Sequence, residues 1–318
     1  MNPSFAVNPY IRQFIDNLRR QYPHLWWPKF LFHYADVLNI VRVLEEGTLY
    51  CRRLAKEKGL LETDSAGKDV ISNTEPWLFD YARLYFRPRT PPLWHVEGFK
   101  SSDNSQIAHC PIPVYLLFDS QKVLSIPEVK YSNGNLASPT SDVFERTEDL
   151  PGLDFVNIYH DTYLPSDEPE KKDKIIKQRC AEVIVHELLP LDDHLSWIVC
   201  RSYAERETLL NLLDLSLRRK YARITKVVSQ CFHCNAHYVE KVILHERRIE
   251  LTFVNSAARN QFKYKYLFRS GTGTIEKGYN KPMTRFEWNN PPGNYILTLF
   301  INDHIAFKGR YQHLAVPF

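Results

Sequence analysis

The sequence predicts a mixed α/β domain over residues 1–222 and a small all-β domain over residues 226–318. Three observations predict it. A length of 318 residues suits two domains. Helical periodicities alternate with short continuous apolar runs as far as about residue 220. Beyond that point, strand-like segments follow one another between Gly, Asn and Pro turns.

In chain order, Ile11, Phe14, Ile15 and Leu18 fall at i, i+3, i+4 and i+7, the stripe of an amphipathic helix over 9–20, which ends before Pro23 and Pro28. Phe30–Tyr34 reads as a buried strand. Asp36 can cap a helix carrying Val37, Ile40, Val41 and Leu44, with Gly47 closing it. Residues 56–76 are polar and turn-rich, a predicted mobile loop. Residues 111–118 form a second apolar strand between prolines. Ser132–Asn135 is a turn, and the chain to about 170 is mostly loop. The mixed-charge run Asp167–Lys174 reads as a solvated helix start. A helix from Lys174 is expected to pass into the strand Val183–Val185, and Trp197–Cys200 is another strand. Ser202 and Glu205 form a capping box that opens one leucine-rich helix to about Lys220. Val239–Val254, Phe262–Arg269, Thr284–Asn289, Tyr295–Asn302 and His304–Tyr311 then read as strands of a β-sandwich.

Composition excludes several classes. With 41 basic and 37 acidic residues the net charge is +4, which rules out a polycationic coat but leaves room for a local basic groove. No apolar run approaches the roughly 20 residues of a membrane helix. No secretory signal is read, and the six scattered cysteines need no disulfide framework, so a cytoplasmic protein with no membrane contact is expected. Glycine-rich dinucleotide and phosphate loops and an H-E-x-x-H motif are absent. Cys231, Cys234 and His237 have zinc-like ligand types, but they sit within seven residues and no second pair follows, so no metal is expected.

Three groups of residues carry chemistry. His33, Tyr34 and Asn39 sit where a strand meets a helix N-terminus, a place that suits an anionic or nucleotide ligand; a lone His there is more often a satisfied core residue. Arg52 and Arg53 follow Gly47-Thr-Leu-Tyr50, and Arg87 and Arg89 flank Pro88. Both pairs suit a diphosphate clamp or, equally, surface ion pairs. Glu182 stands ahead of an apolar strand. There it could activate a nucleophile and stabilise a developing cation, or it could face water from a last helical turn.

The ordered set Phe32-His33-Tyr34 with Asn39 and Gly47, Leu49–Arg52, Leu84–Leu93, Cys110–Phe118, Ser132–Ala137, Arg179–Val185 and Ile198–Ser202 resembles the DarT family, over about residues 30–215. These are NAD-dependent nucleic-acid ADP-ribosyltransferases, toxins of bacterial toxin–antitoxin and phage-defence systems. The resemblance implies an α/β ADP-ribosyltransferase fold with a split central sheet. It implies NAD as ADP-ribose donor, held by His33, Tyr34, Asn39, Gly47 and Tyr85. Arg52 would orient the cofactor, and Glu182 would be the catalytic glutamate. Ala35 departs from the pattern, where the family usually has Thr, and Arg52 rather than Arg53 follows from counting from Gly47.

The implied acceptor is a base of single-stranded DNA, thymine or guanine, since a base must leave the stack to react. Arg83, Arg87, Arg89, Trp94 and His95 offer the charge and aromatic mixture that suits a single strand; Trp94 suits core packing equally well. The implied partner is a macrodomain ADP-ribosylglycohydrolase antitoxin. Competing readings are transfer to RNA or protein, and a non-catalytic NAD or nucleic-acid binding module. Gly293–Asn302 resembles the final hairpin of immunoglobulin-like modules, which implies an accessory role in substrate or antitoxin contact.

Overall fold

The computed structural model describes residues 6–63, 71–100, 109–254 and 262–312; the turn-rich stretch expected over 56–76 lies partly outside the described residues. Two units emerge, one of residues 1–34, 42–95 and 115–198, the other of residues 35–41, 96–114 and 199–318.

The first unit opens with the helix Pro9–Gln21, which buries Ile11, Ile15 and Leu18, the expected stripe. Asn8 caps it by accepting the Tyr10 N–H at 2.9 Å. The strands are β1 (Phe30–Asp36), β2 (Thr48–Tyr50), β3 (Tyr81–Tyr85), β4 (Pro113–Asp119), β5 (Lys130–Ser132), β6 (Val143–Phe144), β7 (Glu182–His186), β8 (Leu188–Pro190) and β9 (Leu195–Cys200). In this unit the sheet runs β9-β4-β1-β3-β7-β5-β6, and β2 and β8 form a separate antiparallel ribbon. The continuous apolar run of β4 is explained by burial of every residue from Pro113 to Phe118, as in a strand covered on both faces.

β7 lies between β3 and β5, so Glu182–Val185 are buried. The helix ahead of β7 begins at Pro169, earlier than expected, because proline suits the first helical position, and it ends at Gln178. Arg179-Cys-Ala181 then turns the chain into the strand, where a direct passage was expected.

In the second unit Asp36 is a double cap. One carboxylate oxygen accepts the Leu38 N–H at 3.1 Å and the other the Ile112 N–H at 3.2 Å. The single leucine-rich helix expected after Ser202 is two helices, Tyr203–Leu212 and Leu215–Ala222, because Asp214 accepts the Ser216 and Leu217 N–H groups and starts a second one. Ser202 accepts the Glu205 N–H at 3.1 Å, but the Glu205 carboxylate does not complete the capping box. It turns to Arg201 instead, which is fully buried and also binds Glu97 at 3.0 Å. Glu97 in turn accepts the His233 and Cys234 N–H groups, each at 2.9 Å. Both ring nitrogens of His237 are engaged, with the Val254 carbonyl and the Tyr264 hydroxyl, each at 2.9 Å. All six cysteines are free.

After β10 (Thr225–Val227) come β11 (Tyr238–Leu244), β12 (Arg248–Val254), β13 (Tyr264–Ser270), β14 (Gly273–Tyr279), β15 (Arg285–Glu287), β16 (Tyr295–Ile301) and β17 (His304–Tyr311). They form two antiparallel sheets, β11-β12-β15 and β14-β13-β16-β17. Alternation in β13 and β16 buries Tyr264, Tyr266, Phe268, Tyr295, Leu297, Leu299 and Ile301. Phe268 meets Phe286 of the other sheet at 4.9 Å between centroids. The expected strand Val239–Val254 is a hairpin, and β14 was not anticipated, since its exposed, polar residues lack the alternation that marks a half-buried strand.

Candidate active site

The register of three strands assembles the site. Glu182 of β7 lies opposite Tyr85 of β3, and Tyr85 lies opposite Phe32 of β1. Side chains two apart on a strand share a face, so Tyr34, Arg83, Tyr85 and Glu182 gather on one side of the sheet. The Tyr34 and Tyr85 rings stack at 6.0 Å with a 15° interplanar angle. His33 alternates to the opposite side, and its Nδ1 bonds the Arg83 carbonyl at 2.9 Å.

Glu182 is completely buried. Arg83 grips it through two donors, Nε to Oε2 at 2.5 Å and Nη2 to Oε1 at 2.6 Å. Oε1 also accepts the Leu136 N–H at 3.0 Å, and the Glu182 N–H donates to Ser132 Oγ at 3.1 Å. The Ser132–Leu136 turn is thereby pinned to the carboxylate. Gly134 lies at a close approach in it: a Cβ there would lie 2.7 Å from Ser141 Oγ and 2.9 Å from Lys177 Cγ, so those side chains would have to shift. A buried carboxylate needs such partners, since an unpaired one costs several kcal/mol.

Protonation follows from these contacts. Burial alone would lower the Arg83 pKa, but the charge and hydrogen bonds of Glu182 outweigh it and hold the guanidinium above its usual range. Burial, then Glu182 and Tyr34, push the Tyr85 phenol well up, so it stays neutral. Burial pulls His33 down against the Arg83 carbonyl bond, favouring neutral imidazole. Cys180 is pushed up to about 12 by burial and by Glu182, which makes it a poor nucleophile.

The β2–β8 ribbon follows directly on β7 and carries the next candidates. Gly47 has φ +65°, a conformation suited to glycine, and its carbonyl accepts the Leu191 N–H at 2.9 Å. Arg52 begins the short helix Arg52–Glu57. Its neighbour Arg53 is occupied elsewhere, by Asp80, by Glu57 at 3.2 Å and by Glu187 at 3.6 Å. Asn39 belongs to the second unit, in the helix Val37–Glu46.

The expected nucleic-acid residues separate into three environments. Arg83 is turned onto Glu182. Arg87, only 2% exposed, points inward: Nε bonds the Pro88 carbonyl at 2.9 Å, Nη1 those of Ile158 and His160, and Nη2 reaches Asp161 at 3.0 Å. Burial, then Arg179, lower its pKa to about 10. Arg89 pairs with the other oxygen of Asp161 and is held at φ 52°, a strained conformation for a non-glycine residue costing roughly 1 kcal/mol. Trp94 and His95 are exposed. The inward roles of Arg83 and Arg87 escape a sequence reading, because their partners lie 99 and 74 residues away. The one signal was Glu182 itself: a buried acid demands a cation.

A family model described as ssDNA thymidine ADP-ribosyltransferase, DarT, matches residues 32–228. The chain belongs to the DarT family. It is therefore an ADP-ribosyltransferase, and Glu182, Arg83, Tyr34, Tyr85 and Arg52 all lie within the DarT match. Thermus sp. 2.9 DarT in complex with ADP-ribosylated ssDNA is 18% identical with a TM-score of 0.50, over 65% of this chain and 97% of that one. Thermosipho africanus DarTG in complex with ADP-ribose is 13% identical with a TM-score of 0.50, over 68% of this chain and 53% of that one. Thermus sp. 2.9 DarT in complex with carba-NAD+ is 20% identical with a TM-score of 0.49, over 65% and 98%. At 13% and 18% identity, the likeness to the two structures with a TM-score of 0.50 is one of fold. No curated protein sequence matches the chain. The strands from β11 onward lie beyond the DarT match. Among the described residues no helix is long and apolar enough to cross a membrane.

Proposed function

We propose that the chain transfers ADP-ribose from NAD to the thymine of single-stranded DNA, with Glu182 at the reacting atoms. The observation that carries this reading is the buried Glu182–Arg83 pair on the same sheet face as the Tyr34–Tyr85 stack. The stack supplies a flat apolar wall for the nicotinamide end of NAD, with Gly47 as a further contact and Arg52 orienting the pyrophosphate, while His33, on the opposite side of β1, supports the Arg83 carbonyl. As the glycosidic bond breaks, nicotinamide leaves with the electron pair and the ribose becomes oxocarbenium-like. The fixed carboxylate of Glu182 stabilises that cation.

Thymine in DNA has one ring N–H, at N3, because N1 carries the deoxyribose. N3 attacks the anomeric carbon and its proton passes to Glu182 as general base. Arg83 is a positioning residue, holding the carboxylate in one rotamer. Arg89, Trp94 and His95 face the strand, and Arg87 is the buried support that fixes Asp161 and, through it, Arg89. Cytoplasmic action as a toxin, reversed by a macrodomain ADP-ribosylglycohydrolase, fits a modification that can be removed at the same glycosidic bond. The β11–β17 region is assigned an immunoglobulin-like sandwich with an accessory role.

The test uses single-stranded oligonucleotides with one thymine, either unmodified or methylated at N3. Transfer from labelled NAD to the first and none to the second is the expected result. Equal labelling of both would exclude N3 as the nucleophile.

A further inference from the structure

Charge is unevenly divided along this chain. Residues 226–318 hold 13 Lys and Arg against 6 Asp and Glu, a net +7, whereas residues 1–225 hold 28 against 31, a net −3. Beyond the DarT match, which ends at residue 228, residues 229–318 hold 12 Lys and Arg against 6 Asp and Glu, a net +6 that exceeds the +4 of the whole chain. Such asymmetry in a protein whose acceptor is a polyanion marks a place where the polyanion binds.

The structure gives the charge a surface. In the sheet β14-β13-β16-β17 the inward residues of β13 and β16 are buried, and those between them turn outward. Register sets Lys265 opposite Phe300, Leu267 opposite Thr298 and Arg269 opposite Ile296; Thr298 in turn lies opposite Lys308, and Ile296 opposite Arg310. The outer face therefore carries four cations around Phe300, Ile296 and Leu267. Lys265 stands over the Phe300 ring at 4.9 Å. Lys308 is pulled below its usual pKa, first by burial and then by the charges of Arg269 and Arg310. Three acids stand nearby: Glu276 lies opposite Leu267, Asp303 is 3.9 Å from Lys265, and Glu207 accepts the Arg310 N–H.

We propose that this outer face is a second binding surface for single-stranded DNA, holding nucleotides away from the one that reacts; this rests on the function proposed above. Phosphates meet Arg269, Lys308 and Arg310, and a base stacks on Phe300 beside Lys265. Cations around a half-buried aromatic on a sheet suit a flexible strand, because any base offers a flat face and every nucleotide a charge.

The test compares the full chain with Arg269→Glu/Arg310→Glu and with the milder Arg269→Gln/Arg310→Gln. Probes are fluorescent single-stranded oligonucleotides of about 30 and about 6 nucleotides, the latter too short for two sites. Without NAD, the longer strand should bind the Glu variant at least about tenfold more weakly, with a salt slope reduced by about 1.4 for two lost phosphate contacts. Labelling of the short strand should be unchanged, and the KM for the long strand should rise while kcat holds. Wild-type affinity for the long strand in a Gln variant that melts like the wild type would overturn the proposal. So would loss of binding to phosphatidylglycerol vesicles with long-strand binding intact. If the wild type labels neither strand but the affinity difference persists, the surface stands and the assigned reaction falls.

Discussion

Arg83 and Glu182 form a forked ion pair across β3 and β7, with Nε to Oε2 at 2.5 Å and Nη2 to Oε1 at 2.6 Å. Arg83 is 27% exposed and Glu182 is not exposed at all, and among the described residues Arg83 is the cation that directly pairs with this buried carboxylate. Arg83→Gln should lower stability by about 3 kcal/mol or more, the usual effect of leaving one buried charge alone. The double variant Arg83→Gln/Glu182→Gln should regain most of that loss. Chemical denaturation of the four proteins measures it, and additive losses would show that the pair is not coupled.

Arg52 and Arg53 are neighbours with opposite expectations. Arg53 is half exposed and tied to Asp80, Glu57 and Glu187, so Arg53→Ala should cost at most about 1 kcal/mol and leave kcat/KM for NAD within about twofold. Arg52→Ala should lower kcat/KM by about 100-fold, as misplacement of a reacting group does. Steady-state kinetics with NAD varied checks both. The reverse pattern would transfer the orienting role to Arg53.

The Tyr34–Tyr85 stack separates ring from hydroxyl. Tyr85→Phe keeps the ring and should leave the KM for NAD nearly unchanged. Tyr85→Ala removes the wall and should raise it by about tenfold, the equivalent of one aromatic contact. An equal effect of both variants would assign the role to the phenol.

One buried arginine, Arg201, serves two buried carboxylates, Glu97 and Glu205. Glu97 also accepts two backbone N–H groups, and the second carboxylate is that of Glu205. Burial, opposed by Arg201 and reinforced by Glu97, pushes it up to about 7. A raised carboxyl pKa means that between about 4.5 and about 7 the folded state binds more protons than the unfolded chain, so this group's contribution to stability falls as pH rises through that window. Glu205→Gln should flatten the slope. Melting temperatures of both proteins across pH 5 to 8 measure it; identical slopes would place the proton elsewhere.

Much of this was legible in the sequence, for physical reasons. The Ile11–Leu18 stripe, the apolar run of β4 and the caps at Asp36 and Ser202 are local signals, and local signals read directly. Glu182 stood out because an acid beside Val183-Ile-Val185 conflicts with its surroundings. The illegible parts are non-local. Nothing near Arg83 or Arg87 in sequence says that one turns onto Glu182 and the other onto Ile158, His160 and Asp161. The split of the leucine-rich helix rested on reading Asp214 as a cap inside an otherwise helical run. β14 was missed because exposed residues on an edge strand carry no burial pattern.

In the proposed function Glu182 carries the transfer. The direct measurement is mass spectrometry of single-stranded, thymine-containing DNA after incubation with NAD and either the wild-type protein or Glu182→Gln, a near-isosteric change. One ADP-ribose per reacted thymine is expected with the wild type, with a rate lower by at least about 100-fold with the variant and NAD binding retained in both. Modification of DNA by Glu182→Gln at the wild-type rate would contradict this role.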